Sequence, residues 1–352
     1  MNFILVILAV LLLWGIHNIG KKNDDYLSVR QTQAVNGYFI ILVFLRHFWQ
    51  YIEVPGKFDH LFDAVNSGLG QMIVTTFMFY SGYGVTVSVL KKGKTYLKSF
   101  PKNRILKTML MFDAAILLYV LINLILSIEM NPLKILTSFI GWDSVGNSNW
   151  YIFAILCMYF VTWLAFSAGE ILPFKSKQIP SLIIALILTG IYMILVRKFK
   201  DGQFYNTVLC YTIGMWYACF KEKIDKLLSC GSVYLLSLIA VCAAFTASYL
   251  FRNHNLAFDQ LHYLLFVLCI VLITMRVKSG NLVLEWCGKN LLGLYILQRI
   301  PMILFKRIDA VSSNTYVYCA ACLAVTLILT IAFQKVVADN LAKLFQLTKK
   351  KA

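Results

Sequence analysis

The sequence predicts an all-α fold, a polytopic transmembrane helix bundle of about 11 spans with its N-terminus outside and its C-terminus inside. Three observations predict it. Hydrophobic residues fill 60% of the 352 positions, and the mean hydropathy is +0.73. They fall in blocks near the ~18-residue length that crosses a bilayer as a helix, without the alternation of barrel strands. Lys and Arg are also unevenly shared between connections. With 91–107 placed in the cytoplasm, 23 lie on that side and 8 on the other, counting Lys306 and Arg307 at the outer edge of their span, and Arg46 and Arg299 fall deeper inside spans. That is the positive-inside bias.

The spans read, in order, 3–16, 35–52, 67–90, 108–128, 149–167, 180–196, 204–220, 232–251, 260–275, 291–308 and 314–334. The first, "FILVILAVLLLWGI", is short. It lacks a basic region before it and a small-residue cleavage site after it, so it reads as a retained anchor rather than a signal peptide. Residues 1–27 then form an anchor and linker, 28–338 one membrane domain, and 339–352 a basic cytoplasmic tail. The connections are too short for a second folded unit. The net charge of +17 follows from topology and from attraction to anionic membrane lipid. Nucleic acid is not an expected partner, because no basic stretch is interleaved with stacking aromatics. None of the nine cysteines is confidently placed in an outer loop, so no disulfide framework is implied. "CAAC" at 319–322 reads as a packed helix face.

The second span, "AVNGYFIILVFLRHFWQYI", holds the costliest residues. Ionisable side chains inside a span are functional candidates by default. Asn36 and His47 are eleven residues apart, which returns to within ~20° of one helix face and separates them by ~16 Å along the axis. They suit two ends of a long ligand threaded along the helix, not one small group. Arg46 points about 100° away from His47. It reads as a snorkelling anchor, a tuner of His47, or a partner for an acidic outer-loop residue such as Asp63. A packing role for His47 weighs about equally on this span alone.

In the third span, "FMFYSGYGV" puts Ser81 and Tyr83 among glycines. This is a polar bend lining a cavity or, more commonly, a small-residue packing seam. The loop "KSFPKNRILK" follows. Most of its lysines are positive-inside charge, but Arg104 stands out as the residue suited to bidentate phosphate contact, with Lys107 close behind. "GWDSVGNSNWYIF" enters the fifth span. There Asn149, Trp150 and Tyr151 read as an interfacial belt, or as a surface on which a sugar ring stacks. In the tenth span Tyr295, Gln298 and Arg299 face the bundle interior.

In this order, "VNGYFIILVFLRHF", "FMFYSGYGV", "FPKNRILK", "NSNWYIFAILCMYF", "LCYTIGMWYACFKEKI" and "CGKNLLGLYILQRIP" resemble the acyltransferase-3 family of integral membrane O-acyltransferases. The resemblance covers about 28–334 and leaves the first span as an addition to a 10-span core. It implies a multi-pass protein of the cell membrane that moves an acyl group, usually acetyl, from cytoplasmic acetyl-CoA or another acyl-CoA to a hydroxyl of an envelope or exported glycan. The acyl-CoA is a co-substrate, not a tightly bound cofactor. His47 matches the family's histidine, and Arg104 resembles its donor-binding arginine. Asn36 stands where Arg or Lys is usual, and Gln298 where a late His is common.

The residues suit that chemistry. A thioester is already activated and needs no metal. Neutral His47 is a fitting general base, and Ser81, Tyr83 or Asn149 are candidate oxyanion donors. Asn36, Arg104 and Lys107 would meet the donor. Arg46, Asp63, Asn149, Trp150 and Gln298 would meet the acceptor. Direct transfer is favoured over a covalent acyl-histidine. Two rivals compete with this reading. A transporter is disfavoured by the lack of an internal repeat and the scarcity of mid-span acids. A catalytically inactive scaffold of the same fold draws support from the departures at Asn36 and Gln298.

Overall fold

The computed structural model describes residues 1–350 except 18, 54, 55, 57, 174, 175 and 253, and only the backbone of 346–350. Its seventeen α-helices are α1 Asn2–Leu13, α2 Val29–Trp49, α3 His60–Leu69, α4 Thr75–Phe100, α5 Lys107–Ile125, α6 Pro132–Ser138, α7 Trp150–Ile171, α8 Gln178–Val196, α9 Val208–Leu227, α10 Gly231–Phe251, α11 Leu256–Thr274, α12 Leu282–Lys289, α13 Leu291–Leu297, α14 Arg299–Phe305, α15 Asp309–Ser312, α16 Thr315–Phe333 and α17 Asp339–Lys350. One two-residue pairing, Ile16–His17 against Lys278–Ser279, is the only sheet among the described residues. Wide π-turns at Pro101–Leu106 and Gln334–Ala338 link α4 to α5 and α16 to α17.

Each expected span overlaps helix, although some residues within them, 14–16, 70–71 and 205–207 among them, are not helical. Among the described residues, six helical stretches are long and apolar enough to cross a membrane: Met72–Ile125, α7, α8, α10, α11 and a stretch beginning with α16. α2 and α9, punctuated by polar residues, are not among them. α1 and the stretch Leu291–Phe305 are apolar but shorter. The expected continuous span 291–308 is instead divided at Gln298, where α13 meets α14. Pro301, in the first turn of α14, has no amide to continue the ladder. The expected tail beyond 339 begins as the helix α17.

Burial orders the bundle. About 56% of α7's apolar stretch is buried against 6% for α10, so α7 is central and α10 peripheral. Two glycine pairs bring helix backbones together. A Cβ on Gly82 of α4 would stand 2.0 Å from the Tyr211 carbonyl oxygen of α9, and one on Gly214 of α9 would stand 2.2 Å from that of Phe79. Gly37 of α2 and Gly288 of α12 meet in the same reciprocal way, at 1.8 Å and 1.9 Å from the Leu284 and Gln33 oxygens. Small residues permit this closeness. Gly82 in "YSGYG" is thus a packing seam, and Gly84 meets nothing within 4 Å.

Candidate active site

His47 lies near the end of α2 and is 6% exposed. Its Nδ1 is 3.3 Å from Ser148 Oγ, which comes from the loop before α7. Arg299 at the start of α14 donates from Nε to that same Ser148 oxygen at 2.8 Å. The guanidinium also reaches the Tyr51 hydroxyl at 3.4 Å and Gln50 Oε1 at 2.5 Å. None of the ion pairs among the described residues gives Arg299 a carboxylate partner. Gln298, 1% exposed, interacts with the imidazole through its side chain, while its Nε2 donates to the Tyr295 carbonyl at 3.0 Å. The Gln298 carboxamide oxygen can accept an imidazole N–H. The neutral tautomer then leaves Nδ1 as the acceptor for Ser148 Oγ–H. Arg299, Ser148, His47 and Gln298 form one directional chain.

The loop that carries Ser148 is tied at several points. Asn123 Nδ2 donates to the Val145 carbonyl at 2.8 Å. Asp143 accepts from Thr137 Oγ1 at 2.6 Å and pairs with Lys200 at 3.1 Å, and Lys200 also lies 4.4 Å from the Trp142 ring centre. The Thr137 hydroxyl first, and the Lys200 charge with it, hold the Asp143 carboxyl below the usual carboxylate range. A cavity of about 710 Å³ opens beside this loop, lined by Tyr51, Asn123, Glu129, Asn131, Lys134 and Ser144 among others. Val145 and Gly146, just ahead of Ser148, belong to its wall.

On the other side of His47 lies a line of tyrosines. The Tyr295 ring stands 6.0 Å from the imidazole and 5.3 Å from Tyr151 on α7. The Ser81 side chain faces Tyr151, which is close enough to Tyr159 and Tyr211 to interact electrostatically with both. Tyr159 packs on Phe100 at 6.1 Å, and Phe100 on Tyr96 at 5.5 Å. Arg104 donates to the Tyr96 hydroxyl at 3.1 Å from an exposed position in the π-turn. Wide turns of this kind recur at functional sites. Lys107 begins α5 three residues on.

The structure gathers some expected residues and separates others. His47, Gln298 and, through Tyr151, Ser81 converge, and Trp150 packs beside Tyr151 at 6.2 Å. Arg104 and Lys107 lie at the far end of the tyrosine line. Asn36 shares the continuous helix α2 with His47, and its buried Oδ1 has no hydrogen-bond partner. Tyr83 does not reach His47. Its ring meets Tyr217 at 6.4 Å, in a network with Tyr26 and Asp225. Arg46 does not pair with Asp63: it donates to the Asn66 carbonyl at 2.6 Å, while Asp63 accepts from Trp49 Nε1 at 2.7 Å. Asn149 Nδ2 donates to the Gly141 carbonyl at 2.9 Å, so that side chain is already committed. Ser148 was not singled out in the sequence. Its signal was the polar run "NSN" at the mouth of an apolar span. Arg299 and Tyr295 read only as interior-facing residues, and a lone arginine there was the stronger clue.

A family model described as an acyltransferase domain matches residues 34–334, most of the chain. No curated protein matches the chain, and no solved structure does. The matched span contains His47, Arg104, Ser148, Gln298 and Arg299, and the helices around them are those of a membrane protein. The chain belongs to the acyltransferase-3 family and is a membrane acyltransferase.

Proposed function

We propose that the chain transfers an acyl group, acetyl in the first instance, from cytoplasmic acyl-CoA to a hydroxyl of a cell-envelope or exported glycan, at the cell membrane, with His47 as general base. One observation carries this reading: a buried imidazole, tied to Ser148 and Arg299, closes a line of tyrosines that begins at an exposed Arg104. Arg104, with Lys107 nearby, suits the phosphates of the donor. The tyrosine line suits the thin pantetheine arm. The cavity beside Tyr51, with carboxamide, hydroxyl and charged groups in its wall, suits a polyhydroxylated acceptor.

The acceptor oxygen attacks the thioester carbon, and the carbonyl electron pair moves onto oxygen. The acceptor proton passes to Ser148 as Ser148 gives its own to His47 Nδ1. When the C=O re-forms, the C–S bond breaks. The imidazolium then supplies the proton that turns the leaving thiolate into free CoA thiol. Removing the base costs ~10²–10⁴ in rate for such chemistry. Purified protein given radiolabelled acetyl-CoA and surface polysaccharide should form labelled ester and free CoA. A folded His47→Ala variant that transfers at the full rate would overturn the assignment.

A further inference from the structure

The first amides of a helix have no partners within it and are usually capped. In this chain Asn131, Asn255, Asn281 and Asn314 each accept from an amide of the helix they precede. Asn149, in the same position before α7, does not; its side chain donates to Gly141 instead. The Phe153 amide bonds the Asn149 carbonyl, but among the described residues the amides of Trp150, Tyr151 and Ile152 find no backbone carbonyl. So a 22-residue helix at the centre of the bundle begins, without a side-chain cap, two residues after Ser148.

A second observation is independent of the first. The Tyr295 hydroxyl is fully buried, on a residue with 0% exposure, and has no hydrogen-bond partner of ordinary geometry. The group it faces is the Tyr151 amide, the second residue of α7. Its ring stands 6.0 Å from the imidazole of His47. A buried phenol left unpaired is costly, and such groups call for an explanation. The positive end of the α7 dipole and the unpaired Arg299 charge make the same spot favourable for a negative charge.

We propose that the Tyr295 hydroxyl, backed by the Tyr151 amide in the first turn of α7, is the oxyanion hole that receives the acyl carbonyl oxygen, which makes Tyr295 a catalytic residue. The inference rests on the acyl-transfer reading. In the tetrahedral adduct the former carbonyl oxygen carries the negative charge, and Tyr295 donates its O–H to it while accepting from the Tyr151 amide. The phenol keeps its proton throughout, and it releases the oxygen when the C=O re-forms and CoA departs. A neutral thioester needs this donor less than the adduct does, so the interaction acts on turnover rather than on donor binding.

The test is the kcat and KM of Tyr295→Phe, with radiolabelled acetyl-CoA and extracted surface polysaccharide as substrates and a melting temperature taken on the same sample. Loss of one oxyanion donor lowers kcat by on the order of 10²–10³-fold. The KM for acetyl-CoA should stay within about threefold, and the melting temperature should be unchanged or higher, because an unpaired buried hydroxyl has been removed. A Tyr295→Phe protein with near-normal kcat, alongside an inactive His47→Ala, would overturn the oxyanion role and leave the acyl-transfer reading intact. No turnover by the unaltered protein would overturn both. If Tyr295→Phe does not fold, 3-fluorotyrosine at position 295 decides the matter: a changed kcat with an unchanged KM supports the role, and an unchanged kcat overturns it.

Discussion

Arg299 Nε and Ser148 Oγ are 2.8 Å apart, although 151 residues separate them in the chain. This contact makes a serine on a loop into the neighbour of His47. The arginine donates, so the serine oxygen is polarised while its own proton remains free for Nδ1. Ser148→Ala should therefore lower kcat by about 10²-fold, with the KM for acyl-CoA little changed. Steady-state CoA release would show it, and an unaltered kcat would remove Ser148 from the relay.

Arg299→Lys should behave almost as badly as Arg299→Ala. A lysine keeps the charge but cannot bond Ser148, Tyr51 and Gln50 together from one planar fork. Activity of the two variants, compared at matched melting temperature, separates loss of charge from loss of geometry. Full rescue by lysine would show that charge alone matters.

Arg104→Ala should raise the KM for acyl-CoA on the order of tenfold and leave kcat nearly intact, because the role proposed for it is at the phosphate end of the donor. The same variant should lose much of the salt dependence of donor binding. A fall in kcat with KM unchanged would place Arg104 elsewhere in the reaction.

The Asp143 link gives a pH signature. Thr137 and Lys200 lower the carboxyl's pKa in the folded state. The stability they contribute is present above the unfolded pKa and is lost as pH falls through the lower, folded value. The melting temperature should drop in that acid window, and the drop should be smaller in Asp143→Asn. A curve identical in both proteins would show that the link contributes nothing.

Gly82→Ala should reduce folded yield, since the added methyl meets the Tyr211 carbonyl oxygen at 2.0 Å and backbone must move. Overpacking of this kind costs ~1–3 kcal/mol. Thermal unfolding in detergent measures it. Gly84→Ala, with nothing within 4 Å, is the control.

Much of this was legible from residues taken one span at a time. The cost of placing charge in a bilayer picked out His47, and the eleven-residue spacing tied it to Asn36 on one continuous helix. The same geometry also separates Ser81 from Tyr83, since two residues turn a helix by ~200°; only Ser81 faces Tyr151. What stayed hidden depended on contacts distant in sequence. Ser148 meets His47 across 101 residues. Asp63 finds Trp49 rather than Arg46 because α3 lies over the end of α2 in a way that no spacing encodes. Asn149 looked like a side-chain donor to substrate. Its structural weight lies instead in not capping the helix that follows it.

The glycine seams have one more consequence. Where an added Cβ would fall within 2.2 Å of the facing carbonyl oxygen, the two backbones are in direct contact and resist sliding along one another. α2, which carries His47, is pinned in this way to α12, and α4, which carries Ser81, is pinned to α9. The stretch of α2 that carries His47 and the stretch of α4 that carries Ser81 are thus each braced by main chain rather than by side chains, while α4 bends at Gly93 before it reaches the Arg104 turn. For the proposed acyl transfer, that gives the donor path a base end braced by backbone contact and a mouth set beyond a bend.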